Sequence, residues 1–192
     1  MEKKQRRRRF TADFETATWL EDETYVWCWA VSEIGNDVNV EHGTNIEEFI
    51  SWCEINSDSI VYFHNLKFDG QFILSYLLNN GYRYVNEEDT KGGKTFRTLI
   101  IDMGIFFSIE IWFTTKKHIK IYDSMKLIPG KIEDMAKNFN VGLEKLEIDY
   151  NQVRELGYIP DSHEIEYILN DVKIPAIALN SLFEKNLTKM TL

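Results

Sequence analysis

Thr11-Ala12-Asp13-Phe14-Glu15-Thr16 is the stretch from which the fold can be read. Asp13 and Glu15 are two residues apart, so on a strand both side chains leave the same face. Phe14 then points the other way, into a core. Two carboxylates side by side on a sheet repel each other. They must share a proton, titrate at raised pH, or hold a cation. Hard divalent cations accept a few carboxylate oxygens together with water and phosphate. The pair therefore suggests a metal site built to meet a phosphate. A solvated strand end carries acidic pairs of the same spelling, and these six residues alone do not separate the two.

The chain around this stretch has 192 residues, enough for one domain with a sizeable core, and residues 1–192 are read as a single domain. Hydrophobic residues make up 44% and aromatic residues 14%, which excludes a disordered composition. Cys28 and Cys53 lie far apart in apolar surroundings, which favours buried reduced thiols over a disulfide or a zinc site. No apolar run reaches the length of a membrane span, and the N-terminus lacks the apolar region of a signal peptide. The expected compartment is the cytoplasm. Net charge is −9, which argues against a non-specific nucleic-acid coat but not against an enzyme that grips a short strand through metals. Basic residues cluster at Lys3, Lys4 and Arg6 to Arg9, at Lys91, Lys94 and Arg97, and at Lys116, Lys117 and Lys120. The first block fits a frayed terminus, a phosphate-binding arm or an import signal.

Hydrophobic periodicity predicts an α/β chain. Residues 9–14 read as a strand ending at the carboxylates, and 25–31 as a long apolar strand. Gly35-Asn36 turns into a short strand near Val38 to Val40. Asn45, with Glu48 three residues on, predicts a capped helix to about Ile55. Ser59 to Phe63 is a short buried strand. Phe68, Phe72, Ile73, Tyr76 and Leu77 mark an amphipathic helix that Gly81 can end. Strands follow near 95–101, 105–113 and 118–122, then a short helix from Lys131 to Phe139. Residues 140–160 read as irregular. Asp161 and Glu164 form a second capping-box signature before the last long helix.

Two more carboxylate-bearing stretches bear on function. Asp69, in Tyr62-Phe63-His64-Asn65-Leu66-Lys67-Phe68-Asp69-Gly70, falls near a helix start, where an aspartate also serves as a simple cap. His64 and Asn65 stand at a strand exit, a common place for ligand contacts in α/β sheets and equally for local loop hydrogen bonds. Tyr167 and Asp171 are four apart, hence on one helical face, either as a surface pair or facing an active site.

Taken together the acids form D-x-E, then N-x-x-x-D after a strand, then Y-x-x-x-D on a late helix. This order resembles the proofreading 3′–5′ exonucleases of the ribonuclease-H-like fold, in the variant with a tyrosine in the third motif. Tyr62 to Gly70, Tyr122-Asp123-Ser124 followed by Lys126, and Lys145-Leu146-Glu147-Ile148-Asp149-Tyr150 look like the exonuclease domain of bacteriophage protein-primed family B DNA polymerases. The resemblance covers nearly the whole chain. It implies a mixed sheet with helices on both faces and a site for two Mg²⁺ or Mn²⁺ ions. Asp13, Glu15 and Asp171 would ligate the metals directly, and Asp69 would hold the second through water. Thr16, Asn65, Phe68, Ser124 and Met125, with His64, would hold the frayed 3′ end of single-stranded DNA. Lys145 would steady the substrate near the scissile phosphate, Tyr150 would line the same site, and Tyr167 would orient the attacking water. The implied partners are a DNA 3′ end, a polymerase domain or a priming terminal protein, and no membrane; for a phage-encoded chain the compartment is the host cytoplasm.

The sequence departs from that pattern in three places. Met125 stands where the family usually has leucine, a swap of similar volume. Pro175 cannot donate to the carbonyl of Asp171 and predicts a kink in the last helix. The polymerase motifs of the family do not follow Thr191-Leu192, so an excised exonuclease domain and a stand-alone protein both fit. The reading is a metal-dependent 3′–5′ exonuclease acting on single-stranded or frayed DNA. A stand-alone exonuclease for RNA and a catalytically idle domain binding single strands or a priming protein are the alternatives.

Overall fold

The computed structural model describes residues 7–17, 24–101 and 105–189. An eight-stranded mixed sheet runs in the order β3-β2-β1-β4-β8-β7-β6-β5. Its strands are β1 (Arg9–Ala17), β2 (Tyr25–Glu33), β3 (Asn36–Gly43), β4 (Ile60–Phe63), β5 (Arg83–Tyr84), β6 (Thr95–Ile101), β7 (Ile105–Trp112) and β8 (His118–Asp123). The helices are α1 (Ile46–Ile55), α2 (Leu66–Asn79), α3 (Ile132–Asn138) and α4 (Ser162–Glu184). The α/β, ribonuclease-H-like expectation, a mixed sheet with helices on both faces, is what the chain adopts.

The alternation along β1 sorts its side chains between the two faces. Phe10, Ala12 and Phe14 enter an aromatic core with Phe49 and Trp52 of α1 and Leu66, Ile73 and Leu77 of α2. Phe14 meets Phe49 and Phe63 edge to face, with centroids 4.8 and 4.9 Å away. Thr11, Asp13 and Glu15 leave by the opposite face, which α4 and α3 cover. There Ile168 and Val172 pack with Trp27 and Ala30. Further along, Ile174, Leu179 and Phe183 pack with Tyr62 and Met135.

Three neighbouring strands fix the site's position. β1 runs parallel to β4, with Ala12 opposite Phe63, and β4 runs parallel to β8, with Phe63 opposite Asp123. Ala12, Phe63 and Asp123 therefore share one row, and Asp13, His64 and Ser124 each follow it, the latter two at the exits of β4 and β8. This is the carboxyl edge at which α/β sheets gather ligands.

Several expectations need correcting. β1 does not end at the carboxylates. It continues to Ala17 through a register shift between Glu15 and Thr16, so the acids sit inside the strand. β5 was not expected, because two residues at a sheet edge carry no periodicity. At α1, Asn45 accepts from Glu48 N–H as foreseen, but Glu48 returns its bond to Thr44 N–H, one residue before the cap. At α4 the Asp161–Glu164 box is complete. α4 runs through Pro175 as one 23-residue helix. The Thr11 hydroxyl donates to Val172 O at 2.6 Å, tying α4 to β1 beside Asp171. In the basic blocks, Lys3, Lys4 and Arg6 lie outside the described residues. Arg8 pairs with Glu33, Lys117 with Glu54 and Lys120 with Glu110, while Lys91 and Arg97 stand over the Trp112 ring. Among the described residues no helix is long and apolar enough to cross a membrane.

Because Phe14 wedges the strand between its two acids, Phe14→Ala should cost about 3–5 kcal/mol of unfolding free energy. Chemical denaturation checks this; a loss under about 1 kcal/mol would mean that the core does not fix the strand.

Candidate active site

β1 and α4 bring three acids to one point. Ligand atoms of Asp13, Glu15 and Asp171 all lie within 4.8 Å of one another. The cause is local on both elements. The two-residue period of β1 aligns Asp13 and Glu15, while the buried stripe of α4 and its Thr11 bond turn Asp171 towards them. Asp69 stands beside this group rather than in it. It is buried in the first turns of α2 and feels the charges of Asp13 and Glu15.

The cluster is electrostatically unfavourable without a cation. Burial, followed by the charge of Asp171, pushes Asp13 up to about 7. Burial, then Asp13 and Asp171, holds Glu15 well above the usual carboxylate range. Burial and then Asp13 do the same to Asp69. Asp171 is also raised by burial, against the pull of Lys145 and of a hydrogen bond from the Tyr167 hydroxyl. Lys145 Nζ lies 2.6 Å from Asp171 Oδ2, one ammonium against three carboxylates. The other oxygen, Asp171 Oδ1, is buried with no hydrogen-bond partner. Three clustered carboxylates, one of them with an oxygen short of a partner, make a donor set for a hard divalent cation, so the residues fit the expected Mg²⁺ or Mn²⁺.

Tyr167 is buried beneath this group, and burial with the charges of Glu15 and Asp171 pushes its phenol up. Its hydroxyl lies 2.6 Å from that of Tyr150, which is 63% exposed on the irregular segment before α4. Lys145, on the same segment, also stands over the Tyr167 ring, 5.3 Å from its centroid. Lys145 thus meets the carboxylates directly, and Tyr150 reaches the group through Tyr167.

The other residues expected at the substrate are placed differently from one another. Phe68 is 45% exposed at the start of α2 and, with Phe72, Gln71 and Tyr25, lines a cavity of about 690 Å³. The three clustered carboxylates are not among the residues lining that cavity. Asn65 is exposed, with a left-handed φ of 72° that asparagine tolerates; its side chain makes no cap bond to α2. Thr16 is half-buried just past the register shift in β1. Ser124 is 1% exposed, and its hydroxyl meets His64 Nδ1 at 3.0 Å. His64 Nε2 lies 2.7 Å from Gly130 O, which can only accept, so Nε2 carries the proton and Ser124 donates to Nδ1. Burial lowers the His64 pKa, in keeping with a neutral ring. His64 and Ser124 therefore bind each other, and Met125 is half-buried beside them.

Asp123, Arg154 and Asn170 carry no role in the sequence pattern. Asp123 Oδ1 accepts from the N–H groups of Asn65 and Met125, joining the β4 and β8 exits. Arg154 lies in a stretch without periodicity, where no signal announces a buried cation. Asn170 reads as a polar neighbour of Asp171, yet it donates to Glu144 O at 3.0 Å.

Known proteins can be set against this geometry. A family profile described as DNA polymerase type B, organellar and viral, matches residues 51–188. The DNA polymerase of Bacillus phage B103 is 41% identical over 190 residues, 96% of this chain and 32% of that protein. The DNA polymerase of Bacillus phage phi29 is 36% identical over the same span and shares. The solved structure of phi29 DNA polymerase complexed with single-stranded DNA matches with a TM-score of 0.90 at 33% identity, covering 97% of this chain and 33% of that one. The chain thus spans about a third of the length of the relatives it matches.

Folded-state carboxyls raised in this way bind protons more tightly than in the unfolded chain, where they titrate near about 4. The folded state's advantage is full below that value and is lost as pH rises through about 7, the Asp13 value. In chelator, the melting temperature should therefore fall from about pH 5 to about pH 8, and millimolar Mn²⁺ should restore more at the higher pH. A melting curve indifferent to both pH and Mn²⁺ would contradict a formed cation site.

Proposed function

The chain belongs to the organellar and viral type B DNA polymerases, and from that premise we propose that it is a metal-dependent 3′–5′ exonuclease acting on single-stranded or frayed DNA ends. The observation that carries the proposal is the meeting of Asp13, Glu15 and Asp171, whose ligand atoms lie within 4.8 Å of one another. Phosphodiester hydrolysis needs stabilisation of charge on the attacking and leaving oxygens and no nucleophilic side chain. Divalent ions held by Asp13, Glu15 and Asp171, with Asp69 beside them, would supply that stabilisation and a reactive hydroxide near neutral pH.

The chain's own groups divide the remaining work. The Tyr167 hydroxyl, one helical turn from Asp171 and bonded to that of Tyr150, orients the attacking water. Lys145 places a positive charge beside Asp171, where a phosphate would lie against the carboxylates. Phe68 offers an exposed ring on which an unpaired base stacks without being read, and Asn65 offers a free amide nearby. His64 and Ser124, satisfied by each other, shape the β4 and β8 exits from within. An acidic net charge is compatible with this task, since the cations, not the protein surface, meet the phosphate.

Mononucleotide release from labelled single-stranded DNA, blunt duplex and RNA, with chelator, Mg²⁺ or Mn²⁺, tests the proposal. Single-stranded DNA should be cut fastest and chelator should stop cleavage. Faster cleavage of RNA would make RNA the substrate, and no release with either metal would make the domain idle.

Tyr167 and Asp171 should fail differently. Asp171→Ala should nearly abolish cleavage and weaken Mn²⁺ binding. Tyr167→Phe should lower turnover roughly 10²–10⁴-fold while leaving DNA affinity in calcium almost unchanged. Phe68→Ala should instead weaken single-strand binding by about 1–3 kcal/mol. Near wild-type cleavage by both Asp171→Ala and Tyr167→Phe would remove this face of α4 from the chemistry.

A further inference from the structure

Tyr150 poses a problem of placement. It is largely exposed, it lies on a segment with neither helix nor strand between α3 and α4, and its hydroxyl nevertheless stands 2.6 Å from that of Tyr167. Something other than its own side-chain packing must hold that backbone. Arg154 is the candidate. It is 2% exposed, and its Nε meets Glu164 Oε1 at 2.7 Å. Its Nη2 donates to Asp149 O at 3.0 Å, the carbonyl of the residue just before Tyr150, and its Nη1 donates to Gln152 O at 3.2 Å. The guanidinium lies 4.5 Å from the Trp27 ring centroid, on the strand that carries Cys28 opposite Glu15. The backbone of Arg154 is held as well, because its carbonyl accepts from the Tyr25 hydroxyl. Glu164, three residues before Tyr167 on α4, also accepts from Tyr158 O–H at 2.7 Å and Asp161 N–H at 3.0 Å.

We infer that the buried Arg154–Glu164 pair is a positioning device for the Tyr150–Tyr167 pair: it clamps the backbone on both sides of Tyr150 to the α4 turn that carries Tyr167. Through Tyr150 and Tyr167 the clamp extends to Asp171. A buried ion pair is a poor source of stability, since desolvation offsets most of its attraction. The bonds to two loop carbonyls that bracket one active-site residue are better explained by placement. This inference rests on the exonuclease reading for its consequence in catalysis, but not for the clamp itself.

Removing Arg154 alone would strand the Glu164 carboxylate, and the chain could fail to fold. The test therefore uses Arg154→Met with Glu164→Gln, which removes both charges and keeps an acceptor for Asp161 N–H. Three readings are taken: hydrogen exchange, Mn²⁺-induced melting shift, and turnover on single-stranded DNA in the presence and absence of the Tyr150 hydroxyl. Exchange should rise over residues 144–152 and stay unchanged over β1 and α2. The Mn²⁺ shift should persist. Turnover should fall roughly 10–100-fold, the scale of a misplaced active-site group, with little change in KM. Added to Tyr150→Phe, the same pair of changes should lower turnover by no more than about threefold, because two changes acting through one group are not additive.

An unchanged exchange pattern over 144–152 would overturn the clamp. An equal loss of turnover with and without the Tyr150 hydroxyl would overturn its action through Tyr150. A wild-type chain that cleaves no nucleic acid would instead remove the exonuclease reading, while the exchange comparison would still decide whether the clamp exists.

Discussion

Mutual repulsion among Asp13, Glu15 and Asp171 is the constraint on which the rest of the structure depends. Left to themselves, three carboxylates in a poorly hydrated place separate or take up protons. Here they are forced together by elements whose stability comes from elsewhere. Phe10, Ala12 and Phe14 anchor β1 in the aromatic core on one face, and the apolar stripe of α4 anchors Asp171 on the other. The Thr11 hydroxyl bond to Val172 O fixes the distance between the two elements within a turn of the carboxylates. The fold supplies the energy that holds the acids in contact, and a divalent cation at the proposed site would relieve the repulsion so created.

The sheet topology makes the same point on a larger scale. β1, β4 and β8 are adjacent and parallel, so the residues following them share one edge. The β4 and β8 exits are satisfied internally, by Asp123 accepting from two backbone N–H groups and by Ser124 donating to His64. β1 instead runs on past this row and carries Asp13 and Glu15 inside the strand. The site is built on a strand and closed by one helix, and the loop between α3 and α4 adds Lys145 and Tyr150.

Much of this was legible in the sequence because period and capping act locally. The alternation in Phe10 to Glu15 states which side chains share a face, and the Asp161–Glu164 box states where α4 begins. Asp13, Glu15 and Asp171 were legible as a set through the order of their motifs. What was not legible depends on long-range placement. Neither the continuation of β1 past Glu15 nor the two-residue β5 has a local cause, since each exists through its neighbour strand. Ser124 was expected to face substrate from its motif, and only the fold turns its hydroxyl inward to His64. Arg154 sits where no pattern runs, and its role appears only when Asp149, Gln152, Trp27 and Glu164 close around it.

The central claim is that these carboxylates hold protons only until a divalent cation replaces them. Calorimetric titration of Mn²⁺ near about pH 6.5, in buffers of different ionisation enthalpy, measures this directly, because metal binding to protonated ligands releases protons. The account predicts saturable binding with proton release that diminishes towards about pH 8, as Asp13 loses its proton on its own through about 7. Binding without proton release at either pH, or no binding at millimolar Mn²⁺, would contradict it.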